Sequence, residues 1–290
     1  MAQVRNKIYG RFKLNHLYSI FSIGLVLFML GLLILLFIHG KKLANQFKEN
    51  IEFTVIIKDN VKENAILVLK KKLEKEPWVK SAGYVSKEEA ARIFTKNNQE
   101  DFKDLLNYNP LFASINLKLN AAYTSADSIN AIEKRVMSNA EAGEFYYEHQ
   151  LVQVLNDNLR KLSWIIIGIS LLLLVIAITL IDSTIRLSMY SSRFLIRSMQ
   201  LVGATRSFIT WPFTKQSLLN GLIASVLANL ALITVLNFAI SQIPELMALQ
   251  DAGQLILLFI GIFTMGLLLS FLSTHFAVQK YLSMKLDELY

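Results

Sequence analysis

The side chains that most often do catalytic chemistry occur in this sequence without a catalytic spacing. Four histidines are widely separated and form neither H-x-x-x-H nor H-E-x-x-H: His16, His39, His149 and His275. We therefore expect no metal site. The sequence contains no G-x-x-x-x-G-K-[ST] for nucleotide phosphates, no G-x-S-x-G around a nucleophilic serine, and no cysteine. These absences predict that the chain is not an enzyme and needs no cofactor.

One short segment instead has residues suited to binding a protein. It reads Leu201-Val202-Gly203-Ala204-Thr205, an apolar patch interrupted by a glycine, and Phe208 follows it. The preceding helical pattern puts apolar residues on one stripe and arginines on another: Ile185, Met189, Ile196 and Met199, against Arg186, Arg193 and Arg197. The arginines could simply reach anionic lipid headgroups. The apolar patch lies outside any membrane-crossing segment, so a protein partner that covers it is the simpler explanation.

Four apolar segments must position this patch. They are Leu17–Ile38, Leu162–Ile181, Leu219–Ile240 and Leu255–Thr274, and none contains Asp, Glu, Lys or Arg. A helix of about 20 residues crosses the roughly 30 Å hydrocarbon core of a bilayer. The mean hydropathy of +0.41 is also high for a soluble protein. We expect four transmembrane helices, the first an uncleaved anchor, with Asn229 as an interhelical hydrogen bonder in the third.

The distribution of basic residues predicts the orientation, because Lys and Arg concentrate in cytoplasmic loops. They cluster at 5–13, 186–215 and 280–285, whereas residues 44–158 carry 15 Lys and Arg against 17 Asp and Glu. The net charge of +8 therefore belongs to the cytoplasmic edge, which argues against nucleic-acid binding. The predicted order is a cytoplasmic tail 1–16, helix 17–40, extracytoplasmic domain 41–160, helix 161–182, cytoplasmic loop 183–216, helix 217–240, extracytoplasmic loop 241–254, helix 255–276 and cytoplasmic tail 277–290.

The extracytoplasmic domain has the pattern of two βαβ units. Strands are predicted at Phe53–Lys58 and Val79–Val85, around Ile115–Leu119 and around Phe145. Helices are predicted between them, started by Asn60, Ser86 and Ser125, with the first ended by Pro77 and the last broken by Gly143. Two βαβ units make an α+β, ferredoxin-like sandwich.

A helical insertion over about 87–113 separates the two βαβ units, and the sandwich does not require it. It contains the candidate partner-binding residues Phe94, Phe102, Leu106, Tyr108 and Phe112. These side chains could pack on one another and on the sheet. Alternatively, some remain exposed as an apolar docking surface for an extracytoplasmic partner.

The loop residues resemble those of a known family. The matching residues are Thr184-Ile185-Arg186-Leu187, Arg193, Ile196, Met199, Leu201-Val202-Gly203-Ala204-Thr205, Phe208-Ile209, Pro212-Phe213 and, in the other domain, Asn109-Pro110-Leu111. Together with the four-span layout, they resemble the FtsX family of cell-division membrane subunits over essentially the whole chain. Members often have an acidic residue where this chain has Leu195.

The resemblance implies a function and partners. FtsX pairs with the ATPase FtsE in a two-plus-two complex, so a homodimer is implied, in the plasma membrane and at the division septum. ATP-driven motion is passed to the outer domain, which activates peptidoglycan hydrolases directly or through a coiled-coil adaptor. The implied ATPase-coupling residues are Arg193, Arg197, Leu201, Val202, Gly203, Ala204, Thr205 and Phe208. The alternative is a MacB-like or lipoprotein-releasing permease that extrudes a ligand.

Overall fold

The computed structural model describes residues 2–98, 109–247 and 250–283. In these ranges the chain forms eight α-helices and four β-strands. The helices are α1 Ala2–Asn50, α2 Glu63–Glu74, α3 Lys87–Asn98, α4 Ala126–Met137, α5 His149–Ser191, α6 Arg193–Leu201, α7 Arg206–Gln242 and α8 Ala252–Ser283. The strands are β1 Glu52–Ile57, β2 Val79–Val85, β3 Ser114–Leu119 and β4 Ala142–Tyr146.

The chain divides into two compact units. The sandwich domain is Gly40–Leu162, and the helical unit is Met1–His39 with Ser163–Tyr290. Four helices, α1, α5, α7 and α8, are long and apolar enough to cross a membrane. The chain is thus a polytopic membrane protein with an α+β domain, as the sequence predicted. The membrane borders of each span stay a prediction.

Helix α5 begins at His149, twelve residues before position 161, where the transmembrane helix was expected to start. The polar stretch ahead of that segment is itself amphipathic. Val152 is buried in the core of the sandwich domain, and Leu155 packs against that core. The helical repeat therefore starts on the domain and continues without a break into the apolar span.

The sheet has the strand order β2-β3-β1-β4, and all three pairings are antiparallel. Phe53 of β1 lies opposite Leu117 of β3, and Val55 lies opposite Ile115. Each βαβ unit therefore leaves a gap between its two strands that a strand of the other unit fills. This is the split βαβ arrangement, which confirms the predicted ferredoxin-like sandwich.

The core of the sandwich lies between one face of the sheet and two helices. Alternate strand residues point into it, with Phe53, Val55 and Ile115 fully buried. Helix α2 contributes Ile66, Leu69 and Leu73, and helix α4 contributes Ile129, Ile132 and Val136. Spacings of three and four residues place each trio on one helix face, as the sequence predicted.

The predicted helix ends were only partly right. Ser125 caps α4 by accepting a hydrogen bond from the N–H of Ser128. Asn60 does not cap α2, because Lys62 occupies the N-cap and Asn60 sits in a turn with φ of 70°. Gly143 lies inside β4 and does not end α4. A Cβ added at Gly143 would lie 3.2 Å from the Ile56 carbonyl oxygen. That close approach accompanies the register shift between Ile56 and Ile57.

In the helical unit, α7 and α8 pack at very short range. A Cβ added to Gly221 would lie 2.9 Å from the Gly266 carbonyl oxygen and would also clash with Ser270. Small residues therefore let the two backbones approach. The amide of Asn229 donates to the Phe259 carbonyl oxygen at 3.2 Å, which confirms the predicted interhelical hydrogen bond.

Candidate functional site

The predicted docking loop is built on a short helix that packs against the helical unit. Helix α5 ends at Ser191, and α6 begins at Arg193, so the helical pattern predicted from Ile185 to Met199 is interrupted at Ser192. The apolar stripe survives the interruption, since Met189 and Ile196 are both buried in the same core. The opposite face of α6 is consequently turned away from that core.

A glycine turn ends α6. The N–H of Gly203 donates to the Gln200 carbonyl oxygen at 3.0 Å, and the N–H of Ala204 donates to that of Met199 at 2.9 Å. This bond pair is a Schellman motif, and Gly203 has the positive φ of 86° that the motif requires. No atom lies within 4 Å of a Cβ built at Gly203, so the restriction there is on the backbone conformation alone.

The next helix starts directly after the turn. Thr205 is the N-cap of α7, and its hydroxyl oxygen accepts a hydrogen bond from the N–H of Phe208 at 3.3 Å. Ala204 packs against the core of the helical unit. The loop is therefore held by a C-terminal cap, a half-buried alanine and an N-terminal cap.

This arrangement exposes the apolar residues of the loop. Leu201 is 82% exposed and Val202 is 89% exposed, while Phe208 is 63% exposed. Exposure of such apolar side chains to water is unfavourable, and their complete burial by a partner would stabilise the complex by about 1.5–3 kcal/mol for each. Gly203 and Thr205 are also exposed, whereas Ala204 is not. Their role in coupling to an ATPase stays a prediction.

The two arginines of the predicted site have different surroundings. The guanidinium of Arg193 lies over the Tyr190 ring at 4.2 Å and over the Phe194 ring at 4.9 Å. These cation–π contacts fix its position at the start of α6. Arg197 is on the exposed side of α6. The loop thus combines an apolar tip with positive charge.

Two further exposed residues extend this surface and were not among the predicted contacts. Phe194 and Leu195 are both exposed on α6. The helical periodicity could have identified them, because neither falls on the stripe that contains Met189 and Ile196. We define the coupling surface as Phe194, Leu195, Leu201, Val202 and Phe208.

The second candidate site is the insertion of the sandwich domain. Helix α3 starts with the N–H of Glu89 donating to the Ser86 hydroxyl oxygen at 3.2 Å, as the sequence predicted. Hydrogen bonds from its own backbone N–H and from the Ser86 hydroxyl lower the pKa of the Glu88 carboxyl. On α3, Ala91 is buried, whereas Phe94 is 41% exposed.

The end of the insertion is tied back to its start. The side-chain amide of Asn109 donates to the Lys87 carbonyl oxygen at 2.7 Å, and its oxygen accepts from the N–H of Leu111 at 3.1 Å. The Lys87 ammonium lies 5.6 Å from the Phe112 ring centre and 2.8 Å from Asp59 Oδ1. Phe112 is 46% exposed beside this closure.

Both described aromatics of the insertion are thus about half-exposed, and their role in binding a partner stays a prediction. The other three candidates, Phe102, Leu106 and Tyr108, lie outside the described residues. Across the described ranges, no group of three or more His, Asp, Glu or Cys side chains could hold a metal ion. The chemistry that both sites offer is the binding of apolar and charged protein surfaces.

The sequence matches known families along most of its length. Residues 50–159 match the family model described as the FtsX extracellular domain, and residues 167–286 match that of the FtsX-like permease C-terminal region. The chain is 41% identical over 271 residues to the cell division protein FtsX of Flavobacterium johnsoniae, with 93% of each chain covered.

One more distant relative and one solved structure are also similar to parts of the chain. The cell division protein FtsX of Haemophilus influenzae is 29% identical, with 77% of this chain and 75% of that protein covered. Among solved structures, extracellular domain 1 of FtsX from Streptococcus pneumoniae is 19% identical and covers 33% of this chain and 93% of that one, with a TM-score of 0.29. The two family-model matches and the 41% identity to the Flavobacterium johnsoniae protein show that the chain belongs to the FtsX family of permease-like cell division proteins.

Proposed function

We propose that this chain is a non-transporting membrane subunit that passes the ATP-driven motion of FtsE to the sandwich domain. In this proposal the chain hydrolyses no ATP itself. The moved domain then activates a peptidoglycan hydrolase, either directly or through a coiled-coil adaptor, so that the septum can be split. Family membership supports the role in cell division, and the two candidate docking sites support the transmission.

The observation that carries the proposal is the exposed apolar tip of the coupling surface. Leu201 and Val202 are nearly fully exposed, although they follow Ile196, which is buried. Two helix caps hold the turn that carries this aliphatic pair in a fixed conformation. The pair is therefore suited to fill a pocket on a partner and to follow that partner when it moves. Arg193 and Arg197 add charge that can orient such a partner.

The insertion supports the other end of the proposed path. Phe94 and Phe112 are half-exposed on a segment that the sandwich core does not need. An apolar docking surface at this point can bind a partner without disturbing the sheet. We assign the hydrolase or adaptor to this segment, together with the undescribed residues between α3 and Asn109.

The proposed setting is the plasma membrane at the division septum, with both termini and 183–216 in the cytoplasm and the sandwich domain outside. The proposed assembly is two copies of this chain with two FtsE subunits. Clustering of basic residues at 5–13, 186–215 and 280–285 supports the orientation.

Co-purification of the full-length chain with FtsE tests the proposal. A Val202→Asp variant should insert normally, because the side chain contacts little in the folded chain, but it should lose FtsE. Val68→Asp is the matched control, since Val68 is also strongly exposed but lies on α2 of the sandwich domain. Undiminished FtsE recovery with Val202→Asp would refute the docking assignment.

A further inference from the structure

An open groove of about 870 Å³ lies between the start of α7 and the end of α8. It shares no lining residue with the coupling surface. Its lining includes Arg206, Thr210, Trp211, Phe271, His275 and Lys280. The volume is within the range of pockets that hold small organic ligands.

The polar part of the groove favours an anion. Arg206 and Lys280 bring a positive charge from each helix, and none of its lining residues, all within the described ranges, is acidic. An adjoining groove contains one acidic side chain, Asp182, which is paired with Arg186 at 2.6 Å. An anionic group in the groove would therefore meet two cations of the lining.

The other part of the groove is aromatic. Trp211 and Phe276 are strongly exposed on it. Phe271 stacks on the His275 ring with their centres 6.0 Å apart, and His275 Nε2 lies 2.8 Å from Gln279 Nε2. A soluble anion would leave this apolar wall uncovered, so the groove suits a ligand with both an anionic and an apolar part.

The groove also lies next to the ends of two predicted membrane spans. Phe271 belongs to the fourth apolar segment, which ends at Thr274, and Lys280 follows it by six residues. On the other helix, Trp211 precedes the third apolar segment, which begins at Leu219, by eight residues, and Arg206 precedes it by thirteen. Trp beside basic residues at the end of a span is typical of the headgroup region.

We infer that this groove binds an anionic phospholipid, with its phosphate headgroup at Arg206 and Lys280 and its glycerol and upper acyl chains along Trp211 and Phe276. Basic pockets between transmembrane helices bind such headgroups. The inference is independent of the partner proposed for the coupling surface.

Native mass spectrometry of the detergent-purified full-length chain tests this inference, with phosphatidylglycerol and phosphatidylcholine as probes. Wild-type protein should retain phosphatidylglycerol preferentially. One basic residue near an anionic lipid is worth roughly fivefold in affinity, so Arg206→Gln with Lys280→Gln should weaken binding roughly 30-fold. The charge-retaining variant, Arg206→Lys with Lys280→Arg, should keep most of it and shows that the groove still folds.

Arg197→Gln with Lys215→Gln is the matched control, because it removes the same charge from exposed positions outside the groove. Three results would overturn the inference. The control could lose as much phosphatidylglycerol as the groove variant, which would indicate general charge attraction. Inorganic phosphate could raise the melting temperature as much as phosphatidylglycerol does, which would indicate a soluble anion. The groove variant could keep phosphatidylglycerol but lose FtsE, which would indicate a protein contact.

Discussion

The ammonium group of Lys48, in the last turn of α1, donates a hydrogen bond to Oδ1 of Asn156 on α5 at 2.5 Å. The amide of Asn156 donates in turn to the Thr124 carbonyl oxygen at 2.9 Å. Lys48 is only 7% exposed, and its neighbour Glu49 pairs with Lys80 at 2.7 Å. These bonds fasten the ends of two long helices within the sandwich domain, where the proposed mechanism needs a firm connection.

Asn156→Ala should destabilise the sandwich domain because it removes the partner of a buried charge and leaves the Thr124 carbonyl without its bond. The expected loss in the free energy of unfolding is about 1.5–3 kcal/mol. Urea unfolding of a fragment spanning 40–162, which has its own core, measures it. The control is Asn158→Ala, at an exposed position two residues further along the same helix. It should change the free energy of unfolding by less than about 0.5 kcal/mol. Equal effects of the two substitutions would contradict the assigned role of Asn156.

Gly203→Val should impair FtsE binding because a β-branched residue resists the positive φ at this turn. The strain is about 1–2 kcal/mol, and its relief would move the exposed tip at Leu201 and Val202. Gly203→Asn is the control, since Asn adopts the left-handed conformation more readily. Co-purification should fall for the valine variant and hold for the asparagine variant, at equal amounts in the membrane. Equal loss in both would point to side-chain bulk rather than turn geometry.

Much of this architecture could be predicted from the sequence because apolar periodicity determines it. The trio Ile66, Leu69 and Leu73 and the alternation in β1 each follow from the local sequence pattern. They can therefore be predicted without knowledge of distant contacts. The Lys48–Asn156 bond could not be predicted, since it joins residues 108 positions apart through the tertiary fold. The groove proposed to bind lipid could not be predicted for the same reason. In the sequence, Arg206 and Lys280 are two separate basic residues near predicted spans, and only the packing of α7 against α8 places them in one groove.

A photo-crosslinking residue at position 112 should capture an extracytoplasmic protein in growing cells. The control position is Tyr146, an exposed aromatic on β4, where we expect no such product. Phe112→Ser should abolish partner binding with little change in melting temperature, whereas Phe53→Ala, fully buried, should destabilise the domain by ~3–5 kcal/mol. If every Phe112 substitution that weakens binding also lowers the melting temperature, the insertion is structural and the docking surface lies elsewhere.

Gly221→Ala should destabilise the helical unit because the new methyl group meets the Gly266 backbone, which cannot move aside freely. The expected cost is about 1–3 kcal/mol, seen as a lower melting temperature of the full-length chain in detergent. Gly261→Ala on α8 provides the comparison, since no atom lies within 4 Å of its added Cβ. A melting temperature that drops equally for both variants would show that close packing at Gly221 is not the cause.

The release of labelled peptidoglycan fragments from growing cells tests the proposed function most directly. A strain lacking this gene would carry the wild-type chain, Val202→Asp or Val68→Asp, each checked for equal amounts in the membrane. We expect wild type and Val68→Asp to restore fragment release and cell separation, and Val202→Asp to leave both at the level of the deletion. Full restoration by Val202→Asp would contradict the account. So would a deletion that leaves fragment release unchanged while a lipoprotein or an exported ligand accumulates.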